Sequence, residues 1–279
     1  VPRLRIAAID FLNPAPLLYD FEHEPRASEL GGRYVVNYTL PSQCAADLLA
    51  GRADVGLIPV AALNETLAVV PGSTIASLGR VRSIQLIVRG ELADVRRVAT
   101  DTASRSSLAY TQILFRRFLG TDPEFLAPMP ADAVAMLGVA DAALLIGDAA
   151  LLALEAKDSI EAVVGACRWI DIAEWWIGET GLPWVAAVWA VRPEALTEAT
   201  GRVLVEDLTL SRDAGLAHRE ELVREWKPRI AVPAATIRRY LTENIHYVLT
   251  PEVVGAMERF RAEAAGIGVL PELGKLRFL

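Results

Sequence analysis

The sequence predicts a two-lobed α/β protein. Short apolar, β-prone runs alternate with segments of helical period, the last third reads almost wholly as helix, and two crossing segments bracket a central block of about 90 residues. Strands are expected near 5–11, 33–40, 54–58, 83–89, 96–100, 142–146 and 184–191, in largely parallel sheets. Helices are expected near 14–21, 42–51, 104–119, 130–138, 148–156, 194–225, 233–245 and 250–265. Pro41-Ser42 opens the second helix and Gly51 closes it, the asymmetry expected of helix ends. The third follows the β-prone run RRVAT and places Leu108, Ile113, Leu114, Phe115 and Phe118 at roughly helical spacing. GELADV at 90–95 and GLPWV at 181–185 are the expected crossings. They divide the chain into a discontinuous first lobe, 1–92 with 186–279, and an inserted lobe, 93–185, with a ligand cleft between them.

Composition narrows the function. The 279 residues are 53% hydrophobic and 23% charged, without a low-complexity tract, as in a soluble globular protein. A formal charge of -7 argues against broad binding to nucleic-acid phosphates, so an anionic ligand needs local donors. Cys44 and Cys167 are far apart and form no CxxC or Cys/His cluster, and read as reduced, buried thiols. His23, His218 and His246 show no HExxH spacing and are assigned surface or packing roles. With GxGxxG and GxxxxGKS also absent, neither a metal nor a nucleotide cofactor is expected. No apolar run approaches the roughly 20 residues that span a bilayer. The start VPRLRIAAIDFLN lacks the pattern of a cleaved signal, so a cytoplasmic location is expected, with a leader removed before Val1 left open. Five tryptophans, Trp169, Trp175, Trp176, Trp184 and Trp189, cluster around a strand and turn as core or cleft wall, not as a base-stacking surface. The C-terminal ERFRAEAAGIGVL is expected to pack on the first lobe, because Gly266 and Gly268 interrupt its apolar face.

The segment DTASRSSLAYTQILFRRF at 101–118 concentrates hydroxyls and one arginine at a helix start. There the first N–H groups lack intrahelical partners and the dipole favours an anion. Ser104, Ser106 and Ser107 offer hydroxyl donors and Arg105 a bidentate fork for a carboxylate, while simple capping by Ser104 is the alternative. Asn13 lies just past the first strand, where open α/β sheets bind ligands, or it caps the helix after it. Ser83 opens a strand and reads as a buried serine unless a ligand reaches it. Asp148, after a strand, is either a general base with a raised pKa or an N-cap, and Asp101 and Asp171 share that ambiguity.

Six segments together resemble the menaquinone biosynthesis proteins of the futalosine pathway, in the chorismate dehydratase branch. They are FLNPAPLL at 11–18, LLAGRADVGLIPVA at 48–61, VRSIQLIV at 81–88, TASRSSLAYTQILF at 102–115, ADAALLIGDAALL at 140–152 and TGLPWVAAVWAV at 180–191. Their order and spacing carry the resemblance over almost the whole chain. The sister branch, 1,4-dihydroxy-6-naphthoate synthase, has a Pro-Asn-Asp type of sequence where this chain has Leu12, Asn13, Pro14 and Pro16. Pro14, Trp184 and Ala187 depart from the family pattern and reshape the expected pocket wall. The resemblance implies a type II periplasmic-binding-protein-like fold used as a cofactor-free enzyme. The implied reaction removes water from chorismate, a small dicarboxylate, to give 3-[(1-carboxyvinyl)oxy]benzoate. It implies catalytic roles for Asn13 and Ser83, with Ser104, Arg105, Ser106, Ser107 and Asp148 as substrate-binding residues. With no protein base evident, the substrate's enolpyruvyl carboxylate is one candidate to take the ring proton. A non-catalytic solute-binding protein is the rival of another class, since one fold hosts many functions.

Overall fold

The chain builds two sheets and passes between them twice, through neighbouring segments. The structure is a computed structural model that describes residues 3–103 and 105–279. The first sheet holds β1 (Leu4–Ile9), β2 (Tyr34–Thr39), β3 (Val55–Pro59), β4 (Ala68–Ser77), β10 (Trp184–Val191) and β11 (His246–Val248). Their order across the sheet is β11-β4-β10-β3-β1-β2. The second holds β5 (Ile84–Arg89), β6 (Arg97–Thr100), β7 (Glu124–Phe125), β8 (Ala142–Ile146) and β9 (Cys167–Asp171), in the order β7-β6-β8-β5-β9. β3, β8 and β10 are buried along nearly their whole length, which explains their almost unbroken apolar sequence.

The sheets are mixed, not largely parallel. β1 runs parallel to β2 and β3, and β6 to β7 and β8, but β10 is antiparallel to both its neighbours and β5 to both of its own. Returning strands cause this, and apolar periodicity carries no strand direction. The expected boundary at residue 92 also shifts. β5 pairs with β8 and β9, so the chain leaves the first sheet between Ser77 and Ile84 and returns between Thr180 and Trp184. GELADV instead turns from β5 toward β6 within the second sheet. β4 was hidden from periodicity by Pro71-Gly72. Gly72 has φ +99°, and the β10 pairing shifts register between Val188 and Ala190, so a bulge accommodates both residues.

The helix expected over 194–225 is two, Glu198–Ala217 and Arg219–Trp226, divided at His218. Thr197 and Thr200 form a capping box at the start of the first. Gly215 in that helix meets the 3-10 turn Ala15–Leu18 so closely that an added Cβ would lie 2.1 Å from the Pro16 carbonyl oxygen. This contact fixes the segment that carries Asn13. The C-terminal helix Pro251–Gly266, capped by Thr250, reaches further than the first sheet. Its Phe260 stacks on Tyr110 at 4.1 Å, and Glu263 pairs with Arg117 at 3.3 Å. Of the clustered tryptophans, Trp176, Trp184 and Trp189 are buried and Trp169 and Trp175 half-buried. Cys44 is buried as expected, whereas Cys167 on the edge strand β9 is only half-buried. Among the described residues no helix is long and apolar enough to cross a membrane.

Asp171 organises the passage between the sheets. It is the N-cap of the helix Ile172–Thr180, accepting from the Ala173 and Glu174 amides, both at 3.1 Å. The same carboxylate accepts from the amides of Val81 at 3.3 Å and Arg82 at 2.6 Å and from Gln85 Nε2 at 3.2 Å. Arg82 is the one non-glycine with positive φ among the described residues, at +65°. Its unusual backbone is held by that charge-assisted bond. The outgoing crossing is thus tied at one carboxylate to the start of the helix that leads to the return.

Candidate active site

A cleft opens where the ends of β1, β3, β5 and β8 meet β10 and the start of the helix Ser106–Ile113. Its apolar wall includes Ile9, Phe11, Ile75, Ile84 and Trp184, and Asn13, Ser83, Arg105, Ser106 and Ser107 supply polar groups. About 490 Å³ of space lies between these side chains, open mouth and solvent included. Gly147 is forced at one wall, since it has φ +60° and an added Cβ would sit 2.9 Å from the Phe11 ring. That contact joins the loop after β1 to the end of β8.

Asn13 and Ser83 come together although 70 positions separate them in sequence. Asn13 follows β1, and its buried Oδ1 has no partner among the described residues. Trp184 Nε1, on the facing wall, is also buried and unpartnered. A ligand bringing one donor and one acceptor would satisfy both, which matters because an unmet buried polar group costs about 1–3 kcal/mol. Ser83 ends the crossing segment, and its carbonyl accepts from the Gly147 amide at 2.8 Å. Its Oγ accepts from the Tyr240 hydroxyl at 2.7 Å.

The helix start separates its candidates. Ser104 lies outside the described residues. Ser106 Oγ donates to the Ala186 carbonyl and accepts from the Ala61 amide, both at 3.2 Å, so its hydroxyl ties the loop to the first sheet and offers no ready donor. Ser107 Oγ has no partner among the described residues and faces the cleft, while Arg105 is exposed at its rim. Asp101 shapes the loop, its Oδ1 accepting from the Ala103 amide and its Oδ2 from the Ile146 amide, each at 3.0 Å. Behind the loop, buried Arg261 donates to the Val60 carbonyl at 3.2 Å. Burial lowers its pKa.

Asp148 stands one residue beyond the wall formed by Ile146 and Gly147. It does not cap its own helix, whose N-cap is Ile146; its Oδ1 accepts from the Leu12 amide at 3.1 Å and so steadies the residue before Asn13. Burial pushes its carboxyl up to about 6, from an ordinary value near 3.8. The folded state therefore holds this proton more tightly than the unfolded state, and stability is gained as pH falls from about 6 toward 4. Asp148→Asn, which keeps the acceptor and removes the charge, is expected to raise the melting temperature above pH 6. That gain should fade below about pH 4 in a calorimetric pH series; a gain independent of pH would contradict a charged, desolvated Asp148.

The family can now be assigned. A model of the menaquinone biosynthesis family matches residues 4–266. The chain belongs to the menaquinone biosynthesis family. It is 29% identical over 249 residues to a chorismate dehydratase of Thermus thermophilus, covering 85% of this chain and 88% of the relative. Its fold is that of the periplasmic binding proteins. A protein from Archaeoglobus fulgidus superposes with a TM-score of 0.75 at 16% identity, over 96% of this chain and 98% of the other. A Candida albicans protein with the generic periplasmic binding protein fold gives 0.66 at 14% identity over 100% and 98%. The alkanesulfonate-binding protein of Xanthomonas axonopodis pv. citri bound to MOPS gives 0.67 at 15% over 98% and 96%.

Within this member of the menaquinone biosynthesis family, two buried residues outside the cleft lining carry no sequence signal. Tyr240 lies in RRYLTEN, and Arg261 in an ordinary amphipathic helix; neither matches a chemical motif. The histidines pack away from the cleft. Tyr19 stacks between His23 at 3.9 Å and His218 at 4.8 Å. His23, Glu221 and Glu225 have a spacing that could hold a cation, but His23 Nε2 already pairs with Glu225 at 2.8 Å.

Proposed function

We propose that the protein is a chorismate dehydratase, a hydro-lyase acting in the cytoplasm. The observation that carries this reading is the convergence of Asn13, Ser83 and the start of the helix Ser106–Ile113 on one cleft, in a chain of this family. Chorismate brings two carboxylates, one hydroxyl and an apolar diene ring. The amides and Ser107 hydroxyl at the helix start, with Arg105 at the rim, are suited to one carboxylate. Phe11, Ile84 and Trp184 are suited to the ring face, and Asn13 Oδ1 to the ring hydroxyl as donor.

In the reaction the C3–H bond breaks, its electrons form the new ring double bond, and the C4–O bond breaks. The proton goes first to the enolpyruvyl carboxylate of the same substrate and then to the departing hydroxyl, so one water leaves and the product remains a dicarboxylate. The protein's part is orientation and stabilisation of developing charge by Asn13 and Ser83. Asp148 lies outside the cleft lining, bonded to Leu12, which favours a positioning role over that of base. Chorismate incubated with the purified protein, with chelator present, is expected to give the aromatic product on chromatography. Chorismate bound but unconverted after prolonged incubation would favour a solute-binding protein instead.

A further inference from the structure

We propose that Tyr240 is a positioning residue that orients the Ser83 hydroxyl, so that the Ser83 proton points into the cleft. This deepens the dehydratase reading and rests on it. Tyr240 comes from the C-terminal part of the chain, 157 positions from Ser83, at the end of the helix Ala234–Arg239. Both side chains are buried, Tyr240 to 1% and Ser83 to 2% exposure, and their oxygens are 2.7 Å apart. A phenol is the stronger donor of the two hydroxyls, so Tyr240 donates and Ser83 Oγ accepts.

That bond occupies an acceptor site on Ser83 Oγ and leaves the serine's own proton to assign. No other described residue accepts it, and Ser83 lines the cleft. The proton is therefore directed at whatever occupies the cleft. Burial keeps the Tyr240 hydroxyl well above the ordinary tyrosine range, so it remains a protonated donor throughout the working pH range. Tyr240 thus touches Ser83 and does not itself line the cleft.

The surrounding structure holds the tyrosine in place. Asn244, one turn further on, donates to the Arg80 carbonyl at 2.9 Å, pinning this segment to the crossing that ends at Ser83. The tyrosine and the serine are therefore held by the same piece of backbone. An unconstrained serine hydroxyl samples three staggered orientations, and Tyr240 selects among them.

The test is a double-mutant cycle on chorismate turnover with Tyr240→Phe, Ser83→Ala and the double variant. Tyr240→Phe is expected to lower kcat about 3- to 10-fold, the worth of one neutral hydrogen bond, and to change KM less than twofold. In the Ser83→Ala background it should change kcat no further. Multiplying effects, or unchanged kcat in Tyr240→Phe, would overturn the proposal. If Tyr240→Phe does not fold, 3-fluorotyrosine at position 240 keeps the hydroxyl and strengthens it as a donor. It should then shift kcat only where Ser83 is present, and a shift of equal size in Ser83→Ala would overturn the proposal. Wild-type protein that binds chorismate without converting it defeats the dehydratase reading separately. The coupling is then read in the chorismate affinities of the same four proteins, where additive losses overturn it.

Discussion

Replacing Ser83 with alanine is expected to lower chorismate turnover about 100- to 1,000-fold, the range seen when one preorganised donor is removed from developing charge. The buried Tyr240 hydroxyl loses its acceptor, at a cost of about 1–3 kcal/mol, so the folded variant should also melt a few degrees lower. Asn13→Ala is expected to fall in the same range, because Asn13 lines the cleft with a buried, unpartnered Oδ1. Asp148→Asn should lose far less, since an asparagine still accepts from the Leu12 amide. A general base is worth roughly 100- to 10,000-fold, so steady-state kinetics separates the cases. If Asp148→Asn collapsed kcat while Ser83→Ala did not, the proton acceptor would be Asp148 and the substrate-assisted mechanism would fail. The pH profile offers the same decision: a limb near pH 6 in kcat that disappears in Asp148→Asn identifies its carboxylate as the base.

Asp171→Ala is expected to have the largest effect on stability. The carboxylate caps one helix and holds the Val81 and Arg82 amides and Gln85 Nε2. A lost cap costs about 1 kcal/mol and stranded buried donors about 1–3 kcal/mol more, so a loss of about 2–4 kcal/mol follows. At about 2–4 °C per kcal/mol for a chain of this size, the melting temperature should fall by roughly 4–16 °C. Asp171→Asn, which retains an acceptor, should fall less. A melting curve for Asp171→Ala that overlays the parent would mean that the crossing at Val81 and Arg82 is held by something else.

Local chemistry explains what the sequence disclosed. Strands buried on both faces, such as β3 and β10, announce themselves by apolar runs, and helix starts by Pro41 or by the serines at 104–107. Asn13 and Ser83 were singled out by the family resemblance, since their own chemistry fits a helix cap and a buried serine equally well. Pairing was not legible. Whether β5 joins the first or the second sheet depends on β8 and β9, and nothing in SIQLIV encodes that choice. The bonds from Tyr240 to Ser83 and from Leu12 to Asp148 span 157 and 136 positions, and neither residue pair has a local signature. The hydroxyl of Ser106 looked like a ligand donor and is instead spent on Ala186, a partner visible only once β10 is in place.

The position of β10 between β3 and β4 has a consequence for how the protein is made. During synthesis β3 and β4 emerge early, yet the strand that separates them follows only after the whole second sheet. Until then β3 has one bare edge and β4 has two, since β11 is made later still, and unpaired edges invite association between chains. The second sheet, by contrast, is one continuous stretch and can close on the ribosome without its partner. Trp184, Ala186 and Ala187 of β10 line the cleft, so the cleft is among the last features to form. A nascent chain short of β10 lacks one wall of the cleft, so added ligand should stabilise chains past that point more than shorter ones.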